Sequence, residues 1–204
     1  FWEQSSQRSV FNNPEFLKNF DYSFFWWIAK YGDEPACLWP VCKYHKKIIV
    51  PEFFYYFGPL WVKKKIENHK WLKFSNDVYN EFCKVFIEEY GSIENQLHHT
   101  LTDVRAFDWW NYHSGKRFKI FPRYSAVLEN IATRNLDSIL ASFRYWRRHE
   151  IKNFQKKFNI EIDNKISPEK IISMYKSTFS DQNIQVSKDT EKNISHLYNA
   201  TKKQ

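Results

Sequence analysis

The 204 residues predict an α+β fold, a mixed and largely antiparallel sheet flanked by helices. Three observations carry that expectation. Two apolar, aromatic runs at 22–31 and 35–44 are separated by Gly32-Asp33-Glu34, the pattern of a β-hairpin. Two later segments, 75–90 and 136–158, repeat their apolar residues every three or four positions and read as amphipathic helices. Hydrophobic residues make up 43% of the chain and aromatics 20%, enough for a packed core and too much for a disordered chain.

Composition narrows the function classes. A formal net charge of +8 favours anionic partners: phosphates, nucleic acid or a charged membrane surface. Gly 4 is scarce, which bears on phosphate binding because backbone cradles need glycine where N–H groups converge. Cys37, Cys42 and Cys83 are odd in number and form no disulfide pattern, which suits a reducing, cytoplasmic compartment. No apolar run approaches the ~20 residues of a membrane span. The chain opens on Phe1-Trp2 rather than Met and reads as trimmed, so a leader segment stays open.

In order, residues 2–20 read as two short helices, the second entered after Asn13 with Pro14 in its first turn. The hairpin follows, and 48–61 continues as strand, interrupted by Pro51 and ended by Gly58-Pro59. Lys63-Lys64-Lys65 reads as a solvated turn. Ser75 is the expected N-cap of a helix to Tyr90, with Val78, Phe82, Val85 and Phe86 on its inner face and Gly91 ending it. Residues 92–101 alternate weakly and 117–128 read as a strand with an edge or bulge at Pro122; a short aromatic helix at 104–112 lies between them. A further strand is expected at 159–162, then helices from Pro168, burying Ile171, Ile172, Tyr175 and Phe179, and over 188–201. No repeat or linker divides the chain, which reads as a single domain over 1–204.

Several clusters have chemistry-bearing residue types. Cys42-Lys43-Tyr44-His45 and the group His98, His99, Asp103 and His113 contain metal-ligand types without the paired spacing of a zinc motif. Cys37 or Cys83 as a nucleophile needs a histidine placed by the fold. Asp108-Trp109-Trp110-Asn111-Tyr112-His113 is either core or a stacking surface for a sugar or base. Neither G-x-x-x-x-G-K-[ST] nor G-x-G-x-x-G occurs.

The segment 136–160 carries the sharpest pattern. Ile139, Phe143, Trp146, Ile151, Phe154 and Phe158 form an apolar stripe, and Arg144, Arg148, Lys152 and Lys156 a basic one beside Arg147 and Lys157. The basic stripe is either a solvated face or a polyanion site.

The same residues bear a resemblance. Ser138, Arg147-Arg148, Ile151-Lys152-Asn153 and Lys157 resemble the "L-S-x-x-x-R-R-x-I-K-K-A-x-K" helix of the Fem-type branch of the GNAT acyltransferase superfamily. In order along the chain, Ser9 to Leu17, Ile28-Ala29 with the residues from Pro35 to Pro40, Phe54 to Leu60, Arg123-Tyr124 with Leu128, and Ile171 to Phe179 are similar to further motifs of that branch. Phe154 stands where alanine is usual, and Arg144 is a basic addition at a variable place.

The resemblance implies a GNAT-like sheet and transfer of an acyl or aminoacyl group, from acyl-CoA or aminoacyl-tRNA, to an amine or hydroxyl of a cell-envelope precursor or small molecule. Arg147, Arg148 and Lys152 match its helix motif and Tyr56 and Tyr124 lie in its other motifs; with Arg144 of the basic stripe and Trp110 of the aromatic run, they are the residues expected to hold an anionic acceptor or tRNA. No catalytic base is assigned. Members have two GNAT-like halves, and this chain resembles the first; the glycine loop that holds the CoA pyrophosphate is missing from it. The expectation is no cofactor in this part, and weak acyl-CoA binding without turnover by these 204 residues alone. The rival reading is a non-enzymatic basic module that binds RNA or another polyanion.

Overall fold

A computed structural model describes residues 1–124, 128, 131–158 and 165–202. It is α+β with an antiparallel four-stranded sheet. The residues fall into two compact units, 1–120 with 168–204 and 121–167.

In the first unit, short 3-10 turns at Trp2–Gln4 and Val10–Asn12 lead into α1 (Pro14–Leu17). The Asn13 side chain accepts from the Glu15 N–H, and Pro14 occupies the helix's first turn, where an N–H has no partner anyway. Strands β1 (Ser23–Tyr31) and β2 (Glu34–Tyr44) then form the expected hairpin, with a bulge between Ala29 and Lys30. Strand β3 (Lys47–Ile49) pairs with the end of β2, and β4 (Leu60–Trp61) pairs Cys37 and Leu38 near its start. The run 48–61 is therefore two short strands joined by an irregular loop rather than one interrupted strand.

Both faces of β2 are buried. Cys37, Trp39 and Val41 enter a core with Val78, Tyr79, Phe82, Cys83 and Phe86 of α2 (Asn68–Tyr90). On the other face Cys42 joins Phe16, Leu17, Phe20, Phe54, Phe57 and Ala200. A strand covered on both sides reads as a continuous apolar run, which is why 35–44 shows no alternation. Trp39 stacks flat on Phe82 at a centroid distance of 3.5 Å, and its Nε1 donates to Asn95 Oδ1 at 3.0 Å.

Helix α2 begins a full two turns before the expected N-cap. Ser75 lies inside it and its hydroxyl donates back to the Leu72 carbonyl at 3.0 Å. Val85, expected on the inner face, is exposed. Gly91 ends the helix with φ +72°, as its sequence position suggests.

Two expected strands are absent. Residues 92–101 are irregular apart from one isolated bridge, Ile48 to Ile93, and 117–124 form no strand; 125–127 and the strand expected at 159–162 lie outside the described residues. The 92–101 backbone serves other ends. Asn95 satisfies Trp39, and the Gln96 carbonyl passes so close to Gly58 that a Cβ there would sit 2.9 Å from its oxygen. Only glycine fits at 58. Helix α3 (Arg105–Asp108) follows, burying Ala106 and Phe107.

In the second unit, the expected single helix over 136–158 is two: α4 (Leu136–Ser142) and α5 (Tyr145–Lys157). Asn135 caps α4, accepting from the Ser138 N–H at 2.8 Å. Ser142 donates to the Ile139 carbonyl at 2.6 Å, and Phe143 and Arg144 are extended (ψ 150°). A serine bonding back to its own turn competes with helix continuation, and the chain restarts from the Arg144 carbonyl, which accepts from Arg148 N–H at 3.1 Å.

Back in the first unit, α6 (Pro168–Ser180) and α7 (Lys188–Lys202) close the chain. Ile171, Ile172, Tyr175 and Phe179, expected to be buried, are half-buried.

Candidate anion-binding site

Five of the seven residues expected to hold substrate lie in the second unit, and Tyr56 and Trp110 in the first. Arg144 is off the helix, at the N-cap of α5, so it does not stack one turn below Arg148 as the unbroken helix required. Arg147 is tied to Glu150 by a 2.8 Å ion pair, the sole acid of α5. Arg148 is half-buried and reaches the Ala141 carbonyl at 3.5 Å, the outer limit of a hydrogen bond. Lys152 is exposed, and neither it nor Arg144, Lys156 or Lys157 has an ion-pair partner among the described residues.

At 3.6 residues per turn, Tyr145, Arg148, His149, Lys152 and Lys156 fall within about 100° of arc. The Tyr145 and His149 rings stack along that stripe, 6.2 Å apart and 14° from parallel. The face is thus cations interleaved with rings. The apolar stripe expected to be core is not: Trp146 is 73% exposed, and Phe154 and Phe158 are exposed beside it. No residue of α5 whose side chain is described is buried. Tyr145, Trp146, Arg147, Lys152, Phe154, Lys156 and Lys157 are exposed, while Arg148, Ile151 and Asn153 are half-buried.

Tyr124 is 95% exposed and has no packing role. Trp110 is half-buried against Phe118 at 6.3 Å and against the α2 core, so its ring is structural on one side. Tyr56 has a left-handed backbone, φ +56°, and its carbonyl accepts from Asn12 Nδ2 at 3.2 Å. Its ring lies 4.8 Å from that of His98 and 5.7 Å from that of His99. Arg148, Lys152 and Arg147 share α5; Tyr56 and Trp110 occupy separate parts of the first unit.

No three His, Cys, Asp or Glu side chains gather as for a metal among the described residues. Asp103 instead holds Arg105 by two oxygens, at 2.9 and 2.6 Å, and that hydrogen bond draws its carboxyl below the usual range. The three cysteines are buried; burial pushes the thiols of Cys42 and Cys83 up to about 12 and that of Cys37 well above its ordinary value. None of them is a poised nucleophile.

A second basic and aromatic surface includes Lys43, Tyr44 and His45, which the sequence marked only as part of a cluster of metal-ligand types. The turn joining β2 to β3 carries Tyr44, His45, Lys46 and Lys47, and with Ile49 and Tyr90 it lines an open concavity of ≈ 790 Å³. His45 takes φ +54°, a conformation that costs a non-glycine residue about 1–2 kcal/mol. The run Lys43-Tyr44-His45-Lys46-Lys47 was visible, but Tyr90, which completes the wall, is 43 residues past the last of these.

No known protein family, curated protein or solved structure matches the chain.

Proposed function

We propose that the chain is part of a GNAT/Fem-like acyltransferase, moving an acyl or aminoacyl group from acyl-CoA or aminoacyl-tRNA to an amine or hydroxyl acceptor, and that α5 holds the polyanionic reactant. One observation carries the reading. Part of the motif in the first unit is scaffold: Phe16, Leu17, Phe54, Pro59 and Leu60 are buried, and Gly58 admits a backbone crossing, while Ile28 and Tyr55 are exposed. The motif residues of α5, Arg147, Arg148 and Lys152, leave the core alone and face outward. Lys152 is exposed and without an ion-pair partner among the described residues, and Arg147 and Arg148 reach only Glu150 and the Ala141 carbonyl of their own unit, so their remaining N–H groups are available to a phosphate, which accepts charge-assisted hydrogen bonds. Acyl transfer of this kind asks the protein chiefly to hold donor and acceptor in attack geometry.

The exposed rings favour a second reading by the same helix: polyanion binding without chemistry, in which Tyr145, His149 and Trp146 stack on unpaired bases while Arg148 and Lys152 meet phosphates.

One experiment tests the first reading and separates the second. Anisotropy titrations with unfractionated aminoacylated tRNA, at ~50 and ~200 mM salt, are run beside transfer assays from labelled aminoacyl-tRNA and acetyl-CoA to amine acceptors. The protein is expressed at its native genomic length. Arg148→Ala and Lys152→Ala are each expected to weaken binding by about 1–3 kcal/mol at low salt, less at high salt. Transfer that falls in parallel supports the acyltransferase. Binding that falls with no transfer from either donor supports the second reading, and variants that bind as wild type return α5 to a solvated face.

A further inference from the structure

We propose that the concavity beside the β2–β3 turn binds a nucleoside diphosphate, a site independent of α5 and of the acyl-transfer reading. Its walls are largely apolar and include the rings of Tyr44 and Tyr90. Its rim is cationic, with Lys46 and Lys47 on the turn and Lys43 beside it. Lys43 Nζ sits 5.0 Å from the centroid of the Tyr90 ring, and no carboxylate pairs with Lys43, Lys46 or Lys47 among the described residues.

Three lysines in five residues repel one another, and an anion relieves that repulsion. An apolar wall of two tyrosines and an isoleucine, by contrast, gives bare phosphate nothing to touch. The pairing of ring faces with ammonium groups matches a ligand that is half heterocycle and half phosphate. The backbone adds a separate observation. His45 is held left-handed at a hairpin position where glycine or asparagine would sit without strain, and its ring lies 4.3 Å from that of Tyr44, against the same wall.

Calorimetric titration of the whole chain with ADP, adenosine and inorganic pyrophosphate tests the site. ADP is expected to bind in the tens of micromolar, and adenosine and pyrophosphate at least ten-fold more weakly. Tyr44→Ala and the double variant Lys46→Ala/Lys47→Ala are each expected to weaken ADP binding about ten-fold, and Lys73→Ala on α2 to leave it unchanged. Melting curves check that the variants, all at exposed positions, stay folded. The proposal is overturned by no heat with ADP up to millimolar concentration, or by ADP binding that ignores both variants. Pyrophosphate binding as tightly as ADP also overturns it, because the turn is then a generic anion patch.

Discussion

Asn12 is fully buried and uses every hydrogen-bonding site of its amide. Oδ1 accepts from Trp2 Nε1 at 2.9 Å and from the Ser9 N–H at 2.8 Å, while Nδ2 donates to the Gln7 and Tyr56 carbonyls at 3.0 and 3.2 Å. That one side chain ties the amino-terminal turns to the strained loop at Tyr56. Next to it, Gln7 Nε2 donates to Thr100 Oγ1 at 3.0 Å, leaving the Thr100 hydroxyl to donate to His98 Nδ1 at 2.9 Å; the Thr100 N–H meets the same nitrogen at 3.3 Å. With Nδ1 filled as an acceptor, the network assigns the ring proton to Nε2 and the imidazole is neutral. Burial first, and the neighbouring His99 second, lower its pKa to about 4. The unfolded value is near 6.5, so between those values the unfolded chain binds the extra proton. The contribution is fully present above pH ~6.5 and is lost as the pH falls through the folded pKa, at up to about 1.4 kcal/mol per pH unit. Urea midpoints at pH 7.5 and 4.5 are expected to drop more in the wild type than in His98→Gln. Equal drops would show that His98 is not the group responsible. The cap at Asn13-Pro14 was legible because it depends on adjacent residues. The chain Gln7–Thr100–His98 was not, because its members are up to 93 residues apart.

At the scale of elements, periodicity located what buries one stripe and misjudged what buries none. The hairpin and the body of α2 stand where expected, since each is docked through a regular apolar face. The break between α4 and α5 has neither glycine nor proline to announce it, and Phe143 and Trp146 keep helical spacing across it. The residues 92–101 look weakly strand-like because Ile93, Leu97 and Leu101 do pack on the core, from an irregular backbone. For the candidate site the same limit applies. The residue types of α5 were legible, but the register that includes Arg148 and Lys152 and drops Arg144 depends on the helix restart. The docking of α2 gives the prediction at this scale. Phe82 is wholly buried and stacked on Trp39, whereas Val85, a turn away on the same helix, is exposed at 36%. Phe82→Ala is expected to cost about 3–5 kcal/mol through lost burial and the cavity left behind. Val85→Ala should stay within about 0.5 kcal/mol. Denaturant unfolding of the two variants decides it; similar losses would mean that α2 docks through a wider face than its core contacts indicate.

The first unit is discontinuous in sequence: 1–120 are completed by 168–204. Helix α7 carries out that closure. Ala200 is fully buried and Leu197 packs against the cluster of Phe16, Phe20, Phe54 and Phe57, and Ile194 is buried on the same helix. Polar contacts fix its register. Asn193 Oδ1 accepts from the Tyr22 hydroxyl at 3.2 Å, Thr190 Oγ1 and Asn193 Nδ2 donate to Glu52 at 3.0 and 3.1 Å, and Lys192 pairs with Asp21 at 2.9 Å. The Lys192 hydrogen bond lowers the pKa of Asp21, but both groups are exposed and such a pair adds little to stability. The apolar term is therefore the larger. Burying Ile194 is worth about 1.5–3 kcal/mol and the partly buried Leu197 adds less than that, so the two contribute on the order of 2–5 kcal/mol. That is a large share of the 5–15 kcal/mol by which domains are stable. Ending the chain after Ser187 is accordingly expected to lower the melting temperature steeply and to expose the phenylalanine cluster to an apolar dye such as ANS. Ile194→Ala, which keeps the helix, should cost about 2–5 kcal/mol without dye binding at room temperature. A truncated chain that melts with the wild type and binds no dye would show that the amino-terminal cluster holds without its carboxy-terminal cover.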